Sequence, residues 1–469
     1  MLSLLLATTL AAAPAPRAAT SADTLVHIPR LDALASLSTF MERAGKDAAL
    51  LRPAAWYAEL HPFLSLDPRR PETLTAAGID PAGPLTLSLD NTGRVSCSRL
   101  TDPKAFQARA ADVLDAEGRE VKPSTAGGVT TVSVARDMGG HAGYALKGNE
   151  VCAFSSLGGG FVDDGAGKVL LKEASRLVSR AAKPDARLSA VPGLLYLVVP
   201  GRKLVMGVSA SDTELRLEGS SAGLPLPSFQ APGTSPYGAM KPDGLLFSRA
   251  RVAPASLSHA VGSVSGRLQQ VCPECPPSEV DALARTVARY LTGHTLLRVE
   301  EVKVRGSLRS PEGRFFAPRQ ALAAELTDAG AVKAALASLA KFPGATALED
   351  GHALSVKGGT LLVRLAGRHL VVGNDEAATQ TLLAALPPQG AKLERAVDFT
   401  LDPKRVSQGL AQVSLMDVMK DKQMAGIFAI AVELGPLLGK SERLTGWLDS
   451  APGNTHRFSL TWALPPASP

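Results

Sequence analysis

Leu100-Thr101-Asp102-Pro103-Lys104-Ala105-Phe106 returns later in the chain as Leu326-Thr327-Asp328-Ala329-Gly330-Ala331-Val332. The two Asp stand 328 − 102 = 226 residues apart. In the first copy Asp102 can accept from the free amides of a helix start, and Pro103 fits the first helical position without losing a bond. Phe106, Ala110, Val113 and Leu114 then recur at helical spacing as a core-facing stripe. At the same offset of 226, Val332, Leu336 and Leu339 repeat the stripe. This echo predicts a chain made of two copies of one pattern.

Upstream of the first copy, Asp23 to Pro29 reads as a strand and Leu31 to Ala44 as a helix with Leu31, Leu34, Leu37 and Met41 on one face. A second short helix is expected over Pro53 to Leu64, carrying Trp56, Tyr57 and Phe63. Leu85, Leu87 and Leu89 alternate with polar residues, as a half-buried strand does. Downstream, strands are expected over Val129 to Val134, Tyr144 to Leu146 and Val151 to Phe154. A Gly-rich loop (Gly158 to Gly167), a helix from Lys168 stopped by Pro184, and a hairpin around Pro200-Gly201 complete the first half.

Pro227 to Pro242 is dense in Pro, Gly and Ser and lacks periodicity, so it reads as a linker. Beyond it the order repeats, with a strand at Leu245, helices through Leu268 and from Ser278 to Leu291, and strands around the Asp328 helix. Gly367 answers Gly148 at a shift of 219, and Asp375 to Leu386, stopped by Pro387-Pro388, answers the Lys168 helix. The copies part where Pro403 to Ser450 intrudes, a stretch read as helical with Leu410, Val413, Met416, Met419, Ile427, Ile430 and Leu434 as its apolar stripe. The expected fold class is α+β. It comprises two similar lobes from a tandem duplication, with mostly antiparallel sheets and helices packed on one face. The expected divisions are a signal peptide 1–19, a first lobe 20–226, a linker 227–242, and a second lobe 243–469 with a helical insertion 403–450.

Four cysteines offer the sharpest chemistry. Cys97 and Cys152 fall on two strands of the first copy, and their counterparts at shifts of 226 and 219 are Ala323 and Val371. Both are missing together from the second copy, which predicts a disulfide between them. Cys272-Pro273-Glu274-Cys275 is a CxxC, but Pro276-Pro277-Ser278 separates it from the helix that would activate a thiol, and no further metal ligands stand near. A local disulfide is the reading, with redox catalysis as its rival.

Other motifs fail on spacing. Gly165-Ala166-Gly167-Lys168-Val169 lacks the first Gly and the final hydroxyl of a phosphate loop. Gly262-Ser263-Val264-Ser265-Gly266 places Val where a nucleophile elbow needs Ser. His352 and His369, read as lying on neighbouring strands, lack an acidic third ligand. No catalytic, cofactor-binding or metal-binding residue is assigned, and no cofactor is expected.

Composition narrows the class. Over 469 residues, 45% hydrophobic and 20% charged describe a folded protein. A net charge of +6 without a dense basic run, and only 4% aromatics, argue against nucleic acid as a partner. Leu2 to Ala13 is apolar or small and runs into Ala13-Pro14-Ala15 and Arg17-Ala18-Ala19, the pattern of a secretory signal peptide too short to span a bilayer. Met424 to Leu438, interrupted by Glu433 and Pro436, reads as a buried helix, so no transmembrane segment is expected in the mature chain. The expected location is periplasmic or secreted.

The opening Ala22-Asp23-Thr24-Leu25-Val26, the Ala77-Gly78-Ile79-Asp80-Pro81 turn, the two Leu-Thr-Asp helix starts, and the turns Lys147-Gly148-Asn149 and Ala366-Gly367-Arg368 resemble a group of exported bacterial proteins of unknown function with duplicated α+β lobes. The resemblance implies a fold and a compartment but no activity. The residues themselves favour a non-enzymatic binding or structural module of the envelope, with an unidentified protein or envelope partner. The alternatives are a hydrolase with a site between the lobes, or a thiol redox protein using Cys272 and Cys275.

Overall fold

The computed structural model describes residues 24–45, 61, 70–90, 92–115, 121–135, 140–156, 164–180, 188, 191–222, 226–304, 316–357, 359–386, 389–413 and 424–466. The expected signal peptide 1–19, the expected helix with Trp56, Tyr57 and Phe63, Met416, Met419 and the helix stops Pro184, Pro387 and Pro388 lie outside these residues. The chain divides into two compact units, Ala15–Gly223 and Leu224–Pro465.

The N-terminal unit runs β1 (Thr24–Ile28), α1 (Ala35–Gly45), α2 (Pro71–Ala76), β2 (Leu85–Leu89), β3 (Gly93–Arg99), α3 (Pro103–Asp115), β4 (Ser124–Ala126), β5 (Val129–Ala135), β6 (His141–Lys147), β7 (Glu150–Ser156), α4 (Asp164–Val178), β8 (Leu195–Val199), β9 (Leu204–Ala210) and β10 (Glu214–Ser221). Its strands lie in the order β10-β9-β8-β1-β2-β3-β7-β6-β5-β4, and every pairing is antiparallel. Asp102 starts α3 as its sequence requires: its carboxylate accepts from the amides of Lys104 and Ala105 at 2.9 and 3.1 Å. Phe106, Ala110 and Leu114 are buried, and Val113 packs partly buried beside them.

The C-terminal unit contains β11 (Gly233–Ser235), β12 (Leu246–Arg251), α5 (Pro254–Val271), α6 (Pro277–Tyr290), β13 (Leu291–Val304), β14 (Phe316–Leu326), α7 (Ala329–Leu336), β15 (Ala345–Leu348), β16 (Gly351–Val356), β17 (Gly359–Ala366), β18 (His369–Gly373), α8 (Glu376–Ala384), β19 (Ala391–Leu393), β20 (Val397–Leu401), α9 (Pro403–Leu410), α10 (Met424–Lys440), β21 (Arg443–Ala451) and β22 (Thr455–Ala463). The main strands run β22-β21-β20-β12-β13-β14-β18-β17-β16-β15, again all antiparallel. This order matches that of the N-terminal unit strand for strand. Junction bonds match too: the amides of Leu100 and Thr101 donate to Asn149 and Gly78, as those of Leu326 and Thr327 donate to Arg368 and Tyr290.

Four expectations are corrected. Helices were expected on one face of each sheet, but they cover both. On β7, Val151 and Ala153 pack with α1 to α3, whereas Cys152 and Phe154 pack under α4. On β18, Leu370 packs toward α6 and α7, and Val371 packs toward α8. Successive strand residues face opposite ways, so the unbroken burial of β7 after Glu150 marks a strand covered on both sides.

Secondly, Pro227 to Pro242 is no free linker. It belongs to the C-terminal unit, where β11 pairs with β19 and Phe229 bridges Val252. Tyr237 is fully buried, with its hydroxyl 3.0 Å from Nδ1 of His369. Arg249 donates to the carbonyls of Gly238 and Met240. Proline suits such a strap because extended backbone needs few amide donors.

Thirdly, the insertion expected over 403–450 ends as helix at Lys440, and Arg443–Ala451 is strand β21. The Gly-rich loop is also shorter than expected, since α4 begins at Asp164. Gly167 is needed there because a Cβ would fall 2.4 Å from the His141 ring. Among the described residues, no helix is long and apolar enough to cross a membrane.

Candidate functional site

The elements that break the match between the units build a cleft. In the N-terminal unit, β8 and β9 are joined by the short helical turn Pro200–Arg202. At the same junction of the C-terminal unit stand α9 and α10. Asp402 caps α9 by accepting from the amides of Lys404 and Arg405. Ser407 ties α9 to α10 by donating to the Gly435 carbonyl at 2.6 Å. Val406 turns toward Leu245, Leu297 and Leu401 on the sheet. The opposite edge of α9 carries Arg405 and Gln408, and the turn that follows adds Gln412, into a cavity of about 440 Å³.

Two further walls complete it. Helix α8 contributes Ala377, Ala378 and Thr381, and the sheet contributes Glu300, Glu301, Val302 and Arg319. Consecutive strand residues ordinarily point to opposite faces. Here the β13–β14 register slips between Val299 and Glu301, leaving Glu300 as the extra residue of a bulge. Both residues line the cleft.

The charges are unequally held. Arg319 donates to Glu301 at 3.0 Å and to Asp375 at 3.1 Å, and these two carboxylates raise its guanidinium pKa. Asp375 also caps α8 by accepting from the Ala378 amide. In the N-terminal unit the positions equivalent to Arg319 and Asp375 are Gly93 and Ser156, cross-strand partners on β3 and β7. No side chain could replace that hydrogen: a Cβ on Gly93 would lie 2.4 Å from the Ser155 carbonyl oxygen. Arg298 bridges Asp243 at 2.6 Å and also pairs with Glu300. Arg405, by contrast, has two long ion pairs, 3.5 Å to Asp402 and 3.8 Å to Asp243.

Among the described residues the lining offers two carboxylates, two guanidiniums, two carboxamides and a hydroxyl. Charge and hydrogen bonding are available there.

The four cysteines lie elsewhere. Cys97 and Cys152 are directly opposed on β3 and β7 and form a disulfide with Cα atoms 4.0 Å apart, beneath α4. Their counterparts Ala323 and Val371 are likewise directly opposed, beneath α8. Cys272 and Cys275 are bonded to each other and buried between α5 and α6, which leaves a redox partner no access.

His352 and His369 are not on neighbouring strands: β17 separates β16 from β18. His369 instead belongs to a polar group with Tyr237, and burial lowers its pKa despite the nearby Glu325. The residues read as an imperfect nucleophile elbow, Gly262 to Gly266, lie inside α5. Among the described residues, no group of three His, Cys, Asp or Glu is placed to hold a metal ion.

None of the cleft residues was picked out from sequence. The available signal was Glu300-Glu301 breaking the alternation of a strand, together with an amphipathic α9.

The chain matches no protein-family model and no curated protein. Among solved structures, crystal form I of TP0453 aligns over 78% of this chain and 93% of that chain, at 9% identity and a TM-score of 0.19. A likeness so low assigns neither fold nor function.

Proposed function

We propose that the protein is an exported, non-enzymatic binding module that arose by tandem duplication, with its ligand held in the cleft of the C-terminal unit. The observation that carries this reading is that the inserted helix α9 supplies one wall of the cleft, at a junction the N-terminal unit closes with four residues, Pro200 to Lys203. The shared strand order and the shared junction bonds support the duplication. One copy then serves as scaffold, and the other carries the departure on which binding depends. A periplasmic or secreted location draws support from the apolar leader and from two disulfides, which persist in oxidising compartments.

The test is a thermal-shift screen of small polar compounds against the full mature chain and an Arg319→Ala/Gln412→Ala variant. A compound that stabilises the parent but not the variant upholds the reading. Compounds that stabilise both equally, or turnover of hydrolase reporter substrates that the variant abolishes, would overturn it. Cell fractionation and N-terminal sequencing of the mature protein test the export separately.

A further inference from the structure

We propose that the ligand of this cleft is a small zwitterion, a free α-amino acid or short peptide, whose carboxylate is taken by Arg405 and whose ammonium is taken by Glu301 and Glu300. The inference rests on the cleft being a binding site. Its lining carries both signs of charge in balance, Glu300 and Glu301 against Arg319 and Arg405. A neutral occupant would displace water from four charges without replacing its hydrogen bonds. An occupant of one sign would meet like charge on one wall. A zwitterion satisfies both walls.

The two arginines are not equivalent, and this sets the orientation. Arg319 is engaged by Glu301 and Asp375 at hydrogen-bond distance. Arg405, with its pairs at 3.5 and 3.8 Å, can turn its planar fork onto an incoming carboxylate. Glu301 accepts from Arg319 through Oε2, which leaves Oε1 for an ammonium. Glu300, which also pairs with Arg298, joins the lining at the bulge. Gln408 and Gln412, one and two turns beyond Arg405, can donate to and accept from an amide. Among the described residues no aromatic side chain lines the cleft, so they provide no stacking against a base or sugar ring.

Calorimetric titration of the full mature chain at low salt tests this. The probes are L-alanine, L-glutamine and Ala-Ala, beside N-acetyl-L-alanine, which lacks the ammonium, and L-alaninamide, which lacks the carboxylate. At least one zwitterion should bind, and its blocked analogues at least tenfold more weakly. Arg405→Gln should weaken zwitterion binding at least tenfold while leaving L-alaninamide unchanged, with an unaltered melting temperature showing that the fold is intact. Blocked analogues that bind as well as the zwitterion, or an Arg405→Gln variant with full affinity, would overturn the inference. If another polar compound binds in the cleft and no zwitterion does, the inference falls and the binding module stands. If no compound binds there, both fall.

Discussion

The hydroxyl of Tyr237 sits 3.0 Å from Nδ1 of His369, joining a proline-rich strap to β18 through two buried side chains. Removing that oxygen leaves a buried ring nitrogen without its partner. Tyr237→Phe should therefore cost about 1–3 kcal/mol in urea unfolding. Tyr237→Ala, which also removes the buried ring, should cost about 3–5 kcal/mol. If Tyr237→Phe changed stability by less than about 0.5 kcal/mol, the strap would not be anchored there.

The two disulfides should contribute unequally. A cross-link stabilises chiefly by restricting the unfolded chain, and its effect grows with the loop it closes. Cys97 and Cys152 are 55 residues apart, which corresponds to roughly 4 kcal/mol by loop-closure entropy. Cys272 and Cys275 are 3 apart, corresponding to about 2 kcal/mol. A Cys97→Ala/Cys152→Val variant copies the pair Ala323 and Val371 of the other unit, so it should fold while losing most of the larger figure. Equal losses on removing either disulfide, read by denaturant unfolding, would contradict this ordering.

Acid should weaken the N-terminal unit through His61. Burial, helped by the charge of Arg94, lowers its pKa to about 3. The folded state thus binds this proton less readily than the unfolded chain, where an ordinary His titrates near 6.5. Its stabilising effect is complete above pH 6.5 and is lost as pH falls from there toward 3. Each tenfold difference in proton affinity is worth about 1.4 kcal/mol, so the loss attributable to His61 is on the order of 5 kcal/mol. His61→Gln should flatten the stability profile between pH 6.5 and 4, even if its stability at pH 8 is lower. An unchanged slope in unfolding free energy against pH would rule His61 out as the cause.

The turn that follows α2 and packs against the start of α3 should be more sensitive than the α3 cap. Gly78 has φ +72°, and a Cβ there would lie 2.2 Å from the Asp102 carbonyl oxygen. Gly78→Ala combines a left-handed backbone with a clash, for a cost of about 2–4 kcal/mol. Asp102→Ala removes a cap and should cost about 1 kcal/mol. The reverse ranking in thermal unfolding would mean that the turn can relax.

What sequence reading could reach follows from how local each signal is. Asp102 and Asp328 announce helix starts within four residues, and both accept from the amides a cap requires. Cys97 and Cys152 could be paired because the positions offset by 226 and 219 residues, Ala323 and Val371, supplied an internal control. Tyr237 was hidden by its neighbours: Pro and Gly density is shared by a flexible linker and a packed strap, and only the two aromatics, Phe229 and Tyr237, argued for an anchor. Strand β21 was absorbed into the insertion because Arg443–Ala451 follows directly on an apolar helix. The cleft depends on a one-residue register slip at Glu300, and on Arg319 meeting Asp375 across 56 positions, neither of which periodicity can register.

The three-residue turn Pro200–Arg202 shows that this architecture closes without α9 and α10. Lengthening a surface connection costs only logarithmically in closure entropy. The C-terminal unit can therefore alter its recognition helix while the ten-stranded frame keeps its register. Affinity and foldability become separable traits, and a graft of 403–440 between Val199 and Leu204 would carry the binding wall to a sheet that lacks it.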